Sequence, residues 1–318
     1  MTTNRTAAIA KVYKALKKHY KPYAPPEDRT VLEHLLYACV LENARFEAAD
    51  EAFAKLKELY FDWNEIRVTT VTELAEGMGD LPDPALAAQR VKKSLQSIFE
   101  SGYSFDIETL KKQNIGKAEK DLEKVAGTTP FVRSYVTQNA LGGHSIPISK
   151  GALDVLYAAG VVTDAEADKG QAPGLERAIP KNKGVEFGSL LQQAGADLVA
   201  APGSTKLKSA LAEMDADYKD RLAQRQARLA EQAAADAAQA KENRDKARAE
   251  ARLAAAADAK PPAKEPHKSA GPAGDGKAKD KEAAKARPAA PPAKRKEDAA
   301  ARPVKPQPSK GLAKRKPR

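Results

Sequence analysis

The chain has 318 residues, 42% hydrophobic and 5% aromatic, with a formal net charge of +11. That length supports a sizeable core, but a mean hydropathy of −0.58 excludes a chain that is globular throughout, so a long exposed segment is expected. The charge is concentrated: residues 260–318 hold 18 Lys and Arg against 6 Asp and Glu, residues 201–259 hold 11 against 10, and residues 1–200 hold 25 against 27. A polyanion should therefore meet the tail before it meets the folded part. The one cysteine, Cys39, sits in the apolar run L-L-Y-A-C-V-L and excludes a disulfide framework and any all-cysteine metal cluster. With no long apolar run at the N-terminus or elsewhere, no membrane partner is expected, and the expected compartment is the cytoplasm.

In chain order, residues 6–20 read as an amphipathic helix with Ile9, Val12, Tyr13 and Leu16 on one side, ended by Pro22, Pro25 and Pro26. Thr30 is placed to cap a helix that is apolar nearly all round, with Glu33 at capping-box spacing. Such a helix belongs inside a bundle. Further segments with helical spacing follow, punctuated by Gly77, Gly79, Pro82 and Pro84, and no stretch alternates with period two. About ten short helices in two hundred residues predict an all-α fold.

Residues 125–149, V-A-G-T-T-P-F-V-R-S-Y-V-T-Q-N-A-L-G-G-H-S-I-P-I-S, read as a tight turn, an apolar helix, a Gly-rich loop and a second helix start at Ser149. Helices joined by such a turn can offer backbone N–H groups to phosphate. From residue 206 turns vanish and alanine alternates with charge. Leu207, Leu211, Met214, Tyr218, Leu222 and Leu229 form a thin stripe, which predicts a solvated helix or weak coiled coil that could recruit a protein partner. Beyond residue 260, Pro, Ala, Lys and Gly predict disorder. The expected domains are 1–29 (helix and Pro-rich linker), 30–204 (helical domain), 205–259 (long charged Ala-rich helix) and 260–318 (disordered basic tail).

Residues 30–200 resemble the helix-hairpin-helix DNA glycosylase superfamily, most closely its endonuclease III branch. The segment A-C-V-L-E-N-A-R-F-E-A-A-D-E-A-F-A-K-L is similar to the one that carries that family's lesion-probing loop, which places Asn43 and Arg45 against DNA. The family's hairpin is L-P-G-x-G-x-K-T-A, with a catalytic aspartate at a fixed distance beyond the lysine. Setting Val125, Ala126 and Gly127 on L-P-G puts Phe131 at the lysine's position and, without a gap, Ser149 at the aspartate's. The resemblance implies a base-excision-repair fold with both catalytic groups replaced. Phe131 cannot form a Schiff base, and Ser149 brings no negative charge to an oxocarbenium-like transition state but can cap its helix.

Lys150 and Asp154 are the alternate catalytic candidates. Gly127, Thr128 and Thr129 are the candidate phosphate contacts, with the hydroxyls assisting. The family's four-cysteine iron–sulfur loop has no counterpart, so no such cofactor is expected. His19, His34, His144 and His267 show no metal-ligand spacing, and Trp63 and Phe105 are expected in the core.

The clusters Lys294, Arg295, Lys296 and Lys314, Arg315, Lys316 resemble the tails of basic nucleoid or linker-histone proteins, and in a bacterium would place the chain on the nucleoid. The expected function is salt-sensitive, non-specific DNA binding by a degenerate, non-catalytic glycosylase fold tethered by its tail. The alternatives are an active monofunctional DNA glycosylase and an RNA- or protein-binding scaffold, since composition does not separate DNA from RNA.

Overall fold

In the computed structural model, residues 2–258 are described, and among them every regular element is helical. The order is α1 (Thr2–His19), α2 (Val31–Leu41), α3 (Phe46–Leu59), α4 (Trp63–Val68), α5 (Val71–Gly77), α6 (Pro84–Gly102), a 3-10 turn (Glu108–Lys112), α7 (Ile115–Lys124) and α8 (Pro130–Asn139). Then come α9 (Lys150–Ala158), α10 (Asp164–Asp168), α11 (Leu175–Ala178), α12 (Lys181–Ala200), α13 (Thr205–Met214) and α14 (Tyr218–Asp258). The starts follow from cap chemistry. Thr30 and Glu33 close a reciprocal capping box, Thr129 caps α8 ahead of Pro130, and Ser149 caps α9.

Two cores form. The first gathers α2 through α8 around Leu35, Leu36, Tyr37, Val91, Leu95, Phe131 and Val132, with α2 at its centre as its all-round apolarity requires. Trp63 and Phe105 pack partly buried against it, Trp63 facing Phe53 at 6.3 Å between ring centroids. The second core gathers α1, α9, α12 and α13 around Ile9, Leu16, Leu156, Phe187, Leu190 and Leu211. Its tightest crossing is α9 on α12, where Gly151 and Gly195 meet: a Cβ built on Gly195 would lie 2.3 Å from the Ala152 nitrogen.

The helix of segment 1–29 belongs to the second core: its stripe Ile9, Val12 and Leu16 is fully covered, and α1 packs against α13. One sequence expectation changes here, because the solvated helix expected over 205–259 does not begin at 205. The chain breaks between Met214 and Tyr218, where Asp215 accepts from the Asp217 N–H at 2.8 Å, a local turn that competes with helix. Leu207, Leu211, Met214 and Tyr218 are buried in the second core rather than lined up for a partner. Side chains from Ala230 to Ala251 are exposed, so the solvated helix is the later part of α14. The long helix is docked by Arg225, 4% exposed, whose guanidinium donates to Asp154 at 3.2 Å, to Asp168 at 2.7 Å and to the Ala167 carbonyl at 3.1 Å.

Buried His34 on α2 gives the fold a pH dependence. Burial, with repulsion from Arg29 and Lys111, holds its pKa down to about 4, against 6.5 in an open chain. Between those values the unfolded chain binds a proton that the folded chain does not. Stability is therefore complete above pH 6.5 and falls on acidification, by up to about 3 kcal/mol at pH 4 from this group. Urea unfolding at pH 7 and pH 4.5 should show the loss in the wild type and a clearly smaller one in His34→Gln; equal losses would remove His34 from the account.

Candidate functional site

The turn between α7 and α8 lies against α6. Gly127 has a φ of 91°, and a Cβ there would meet the Arg90 carbonyl oxygen at 2.7 Å and Ser94 Oγ at 2.9 Å, so only glycine fits. The Ala126 N–H donates to Ser97 Oγ at 3.0 Å. Both threonine hydroxyls are committed inside the protein. Thr128 Oγ1 donates towards the carbonyls of Leu122 and Val125, at 3.1 and 2.9 Å. Thr129 Oγ1 donates to the Glu42 carboxylate at 2.7 Å while accepting from the Val132 N–H at 3.2 Å. The help expected from these hydroxyls in holding phosphate is thus spent. What the turn retains is the N–H of Gly127 and of Thr129, neither bonded among the described residues, with exposed Lys93 alongside.

Glu42 also joins the hairpin to the α2–α3 turn, the segment that carries Asn43 and Arg45. Its carboxylate sits 2.8 Å from Arg90 Nη1, and burial raises its pKa against the pull of Arg90 and Thr129. An anion so close to the start of α8 opposes a second one, except where Arg90 offsets it. Asn43 holds a left-handed φ of 66°, and its Oδ1 is buried without a partner. Arg45 is tied across to α12 through Asp197 at 2.8 Å, which also accepts from Tyr20 Oη at 3.1 Å. The hairpin turn and the α2–α3 turn, the two segments that the resemblance would set against DNA, are therefore adjacent. Glu42, Arg90 and Lys93 were not singled out in the sequence, because nothing local marks side chains that meet across 48 or 87 positions.

Between the two cores runs a seam lined by Tyr23, Leu41, Phe46, Phe131, Tyr135, Gln138, Pro147, Val185, Gly188 and Gln192, with Pro25, Asn139 and Ser189 at its margins. Phe131 fills one wall and is 2% exposed. The open volume is about 20 Å3, room for one water and far short of a nucleoside, and no carboxylate lines it. Ser149, 1% exposed, accepts from the Ala152 N–H at 3.4 Å and acts as a helix cap. Lys150 is exposed at the start of α9. Asp154 faces the other way, onto Arg225; burial raises its pKa while Arg225 and Lys150 lower it. Neither lines the seam, and Asp154 serves to dock α14.

His144 is structural, its Nε2 lying 2.8 Å from the Glu176 carbonyl and 2.9 Å from that of Ile179. Burial pushes the Cys39 thiol up to about 12, leaving it an unreactive core residue. Among the described residues, no three His, Cys, Asp or Glu side chains gather as a metal site would require. Lys294, Arg295, Lys296, Lys314, Arg315 and Lys316 lie outside the described residues.

No family model matches the chain, and no curated protein does. Among solved structures, an endonuclease III trapped in a covalent intermediate with DNA is similar at 14% identity over 60% of this chain and 84% of that one, with a TM-score of 0.45. A thermostable thymine-DNA glycosylase is similar at 14% identity over 69% of this chain and 98% of that one, TM-score 0.45. A 3-methyladenine DNA glycosylase of H. pylori is similar at 18% identity over the same shares, TM-score 0.40.

Proposed function

We propose that this chain is a non-catalytic DNA-binding protein with a glycosylase-like helical body, in which the basic tail supplies most of the affinity. One observation supports the non-catalytic reading: the seam at Phe131 is filled. An amine and a carboxylate would have to face a sugar there, yet the space holds a water at most, and its aromatic, apolar, amide and hydroxyl lining includes neither group. The hairpin keeps two unbonded N–H groups beside Lys93, which suit a single backbone phosphate and read no sequence.

Charge supports the division of labour. Residues 1–259 carry 36 Lys and Arg against 37 Asp and Glu, so the body alone has little long-range attraction for DNA. The reading predicts no lesion preference. In competition titrations of the full chain at one salt concentration, undamaged duplex and duplexes with a damaged base or an abasic analogue should bind within about twofold of one another. A tenfold preference for one lesion would mean that the seam opens to recognise it, and would overturn the reading.

A further inference from the structure

Residues 58–80, the end of α3 with α4 and α5, hold six Asp and Glu against one Lys or Arg. That one, Arg67, turns inward: its guanidinium donates to Gln96 at 2.7 Å and stacks over the Phe99 ring at 4.4 Å. Among the carboxylates stand two large apolar side chains open to water, Leu59 at 61% and Phe61 at 96% exposed. Neither is loose. Leu59 Cδ1 lies 3.4 Å from where a Cβ on Gly77 would stand, which sets the end of α3 against the end of α5, and the Phe61 N–H donates to the Glu65 carboxylate at 2.6 Å. Between them, the Tyr60 hydroxyl is pushed up from its ordinary pKa by burial and then by the charges of Glu73, Glu65 and Glu76, which places those carboxylates beside the apolar pair.

The carboxylates of Glu73 and Glu76 are exposed and make no hydrogen bond or ion pair among the described residues. Their mutual repulsion and the wetted Phe61 ring are both relieved by one kind of occupant, a segment that is cationic and apolar together. The face is also turned from the hairpin. On α6, Lys92, Gln96 and Phe99 meet α4, with Lys92 Nζ donating to the Arg67 and Thr69 carbonyls at 2.8 and 2.5 Å, whereas Arg90, Ser94 and Ser97 meet the hairpin turn. At about 100° per residue the two sets lie on nearly opposite sides of the helix. An occupant of the α3–α5 face therefore leaves the hairpin uncovered.

We propose that the α3–α5 face docks a lysine-rich segment of another protein that carries large apolar side chains, its ammonium groups on Glu73 and Glu76 and an apolar side chain on Phe61 and Leu59. Nucleic acid is excluded by like charge, and so is the same face of a second copy across a two-fold axis. The chain's own residues 260–318 have the charge but not the apolar half, since Val304 and Leu312 are their only large apolar side chains. The proposal does not depend on the DNA-binding reading, because face and probe meet without DNA.

A fluorescein-labelled peptide of two K-K-L-K-K-F repeats, titrated by anisotropy into the full chain, should bind, and a counterpart of two K-K-A-K-K-A repeats should bind at least about tenfold more weakly. Phe61→Ser should weaken the first peptide about tenfold, and Glu73→Gln with Glu76→Gln about fivefold. The control is a second exposed pair, on α7: Glu119→Gln with Glu123→Gln should stay within about twofold of the wild type. All these side chains are exposed, so melting temperatures should hold within about 2 °C and a lost signal is lost binding. No binding to the wild type, equal binding of the alanine peptide, or equal losses from the α7 pair would leave an unspecific anionic surface and overturn the proposal. Carbodiimide cross-linking of the full chain alone checks the remaining occupants, since it joins carboxylates to lysines in contact. Glu73 or Glu76 should stay unlinked; a link to a lysine in residues 260–318 of the same copy, or to any lysine of a second copy, would name that segment as the occupant and overturn the proposal equally.

Discussion

Removing residues 259–318 should lower affinity for duplex DNA by at least about 100-fold near physiological salt, and should flatten its salt dependence. If about ten of the tail's cations rest on phosphates, the full chain should show a slope of roughly −9 in log affinity against log salt, and the truncated chain a slope near −1 or −2 from Lys93 and the hairpin. The body should survive the cut, since both cores are built from residues between Ile9 and Leu222. A circular dichroism melt of the truncated chain separates lost binding from lost folding. Affinities within threefold of each other would place DNA binding on the helical body instead of the tail.

Gly195→Val should be among the most damaging single changes to the fold. Its Cβ would fall 2.3 Å from the Ala152 nitrogen and 2.7 Å from the Gly151 carbonyl carbon. Both are backbone atoms that cannot swing aside, so α9 and α12 must separate and the contacts of Leu156, Leu190 and Leu191 loosen with them. The expected loss is about 3 kcal/mol or more, roughly 10 °C in melting temperature for a body of this size. Gly203→Ala is the control, with nothing within 4 Å of the added carbon, and should stay within about 0.5 kcal/mol of the wild type. A Gly195→Val melt within 1 °C of the wild type would mean that the crossing is not as close as described.

Features set by local chemistry were legible in the sequence. The capping box of Thr30 and Glu33, the Pro130 start of α8, the Ser149 cap and the buried character of α2 each depend on residues within one or two turns of each other. Features set by distant partners were not. The stripe of α1 looks the same whether it meets water or α13, and only the fold brings Leu16 and Leu211 into one core almost two hundred residues apart. The break before α14 carried a weaker signal, M-D-A-D-Y, because two aspartates can end a helix without Gly or Pro.

At the candidate site, the resemblance to the glycosylase hairpin singles out Phe131 and Ser149, but it says nothing of what surrounds them. That Thr129 would give its hydroxyl to Glu42, that Asp154 would face Arg225, and that Tyr23 would cross to Phe46 are all long-range pairings. Together they change the meaning of the 125–149 segment. Its turn is a braced support joined to the α2–α3 loop, and the space behind it is closed by aromatic rings.

The most direct test of the central claim is a base-excision assay with the full chain in excess over duplexes carrying uracil, 8-oxoguanine, 3-methyladenine or a mismatched thymine, scored for abasic sites after alkaline cleavage. The filled seam predicts no product above the protein-free control at any pH from 6 to 9. Reproducible excision that disappears in Ser149→Ala or Asp154→Asn would contradict it.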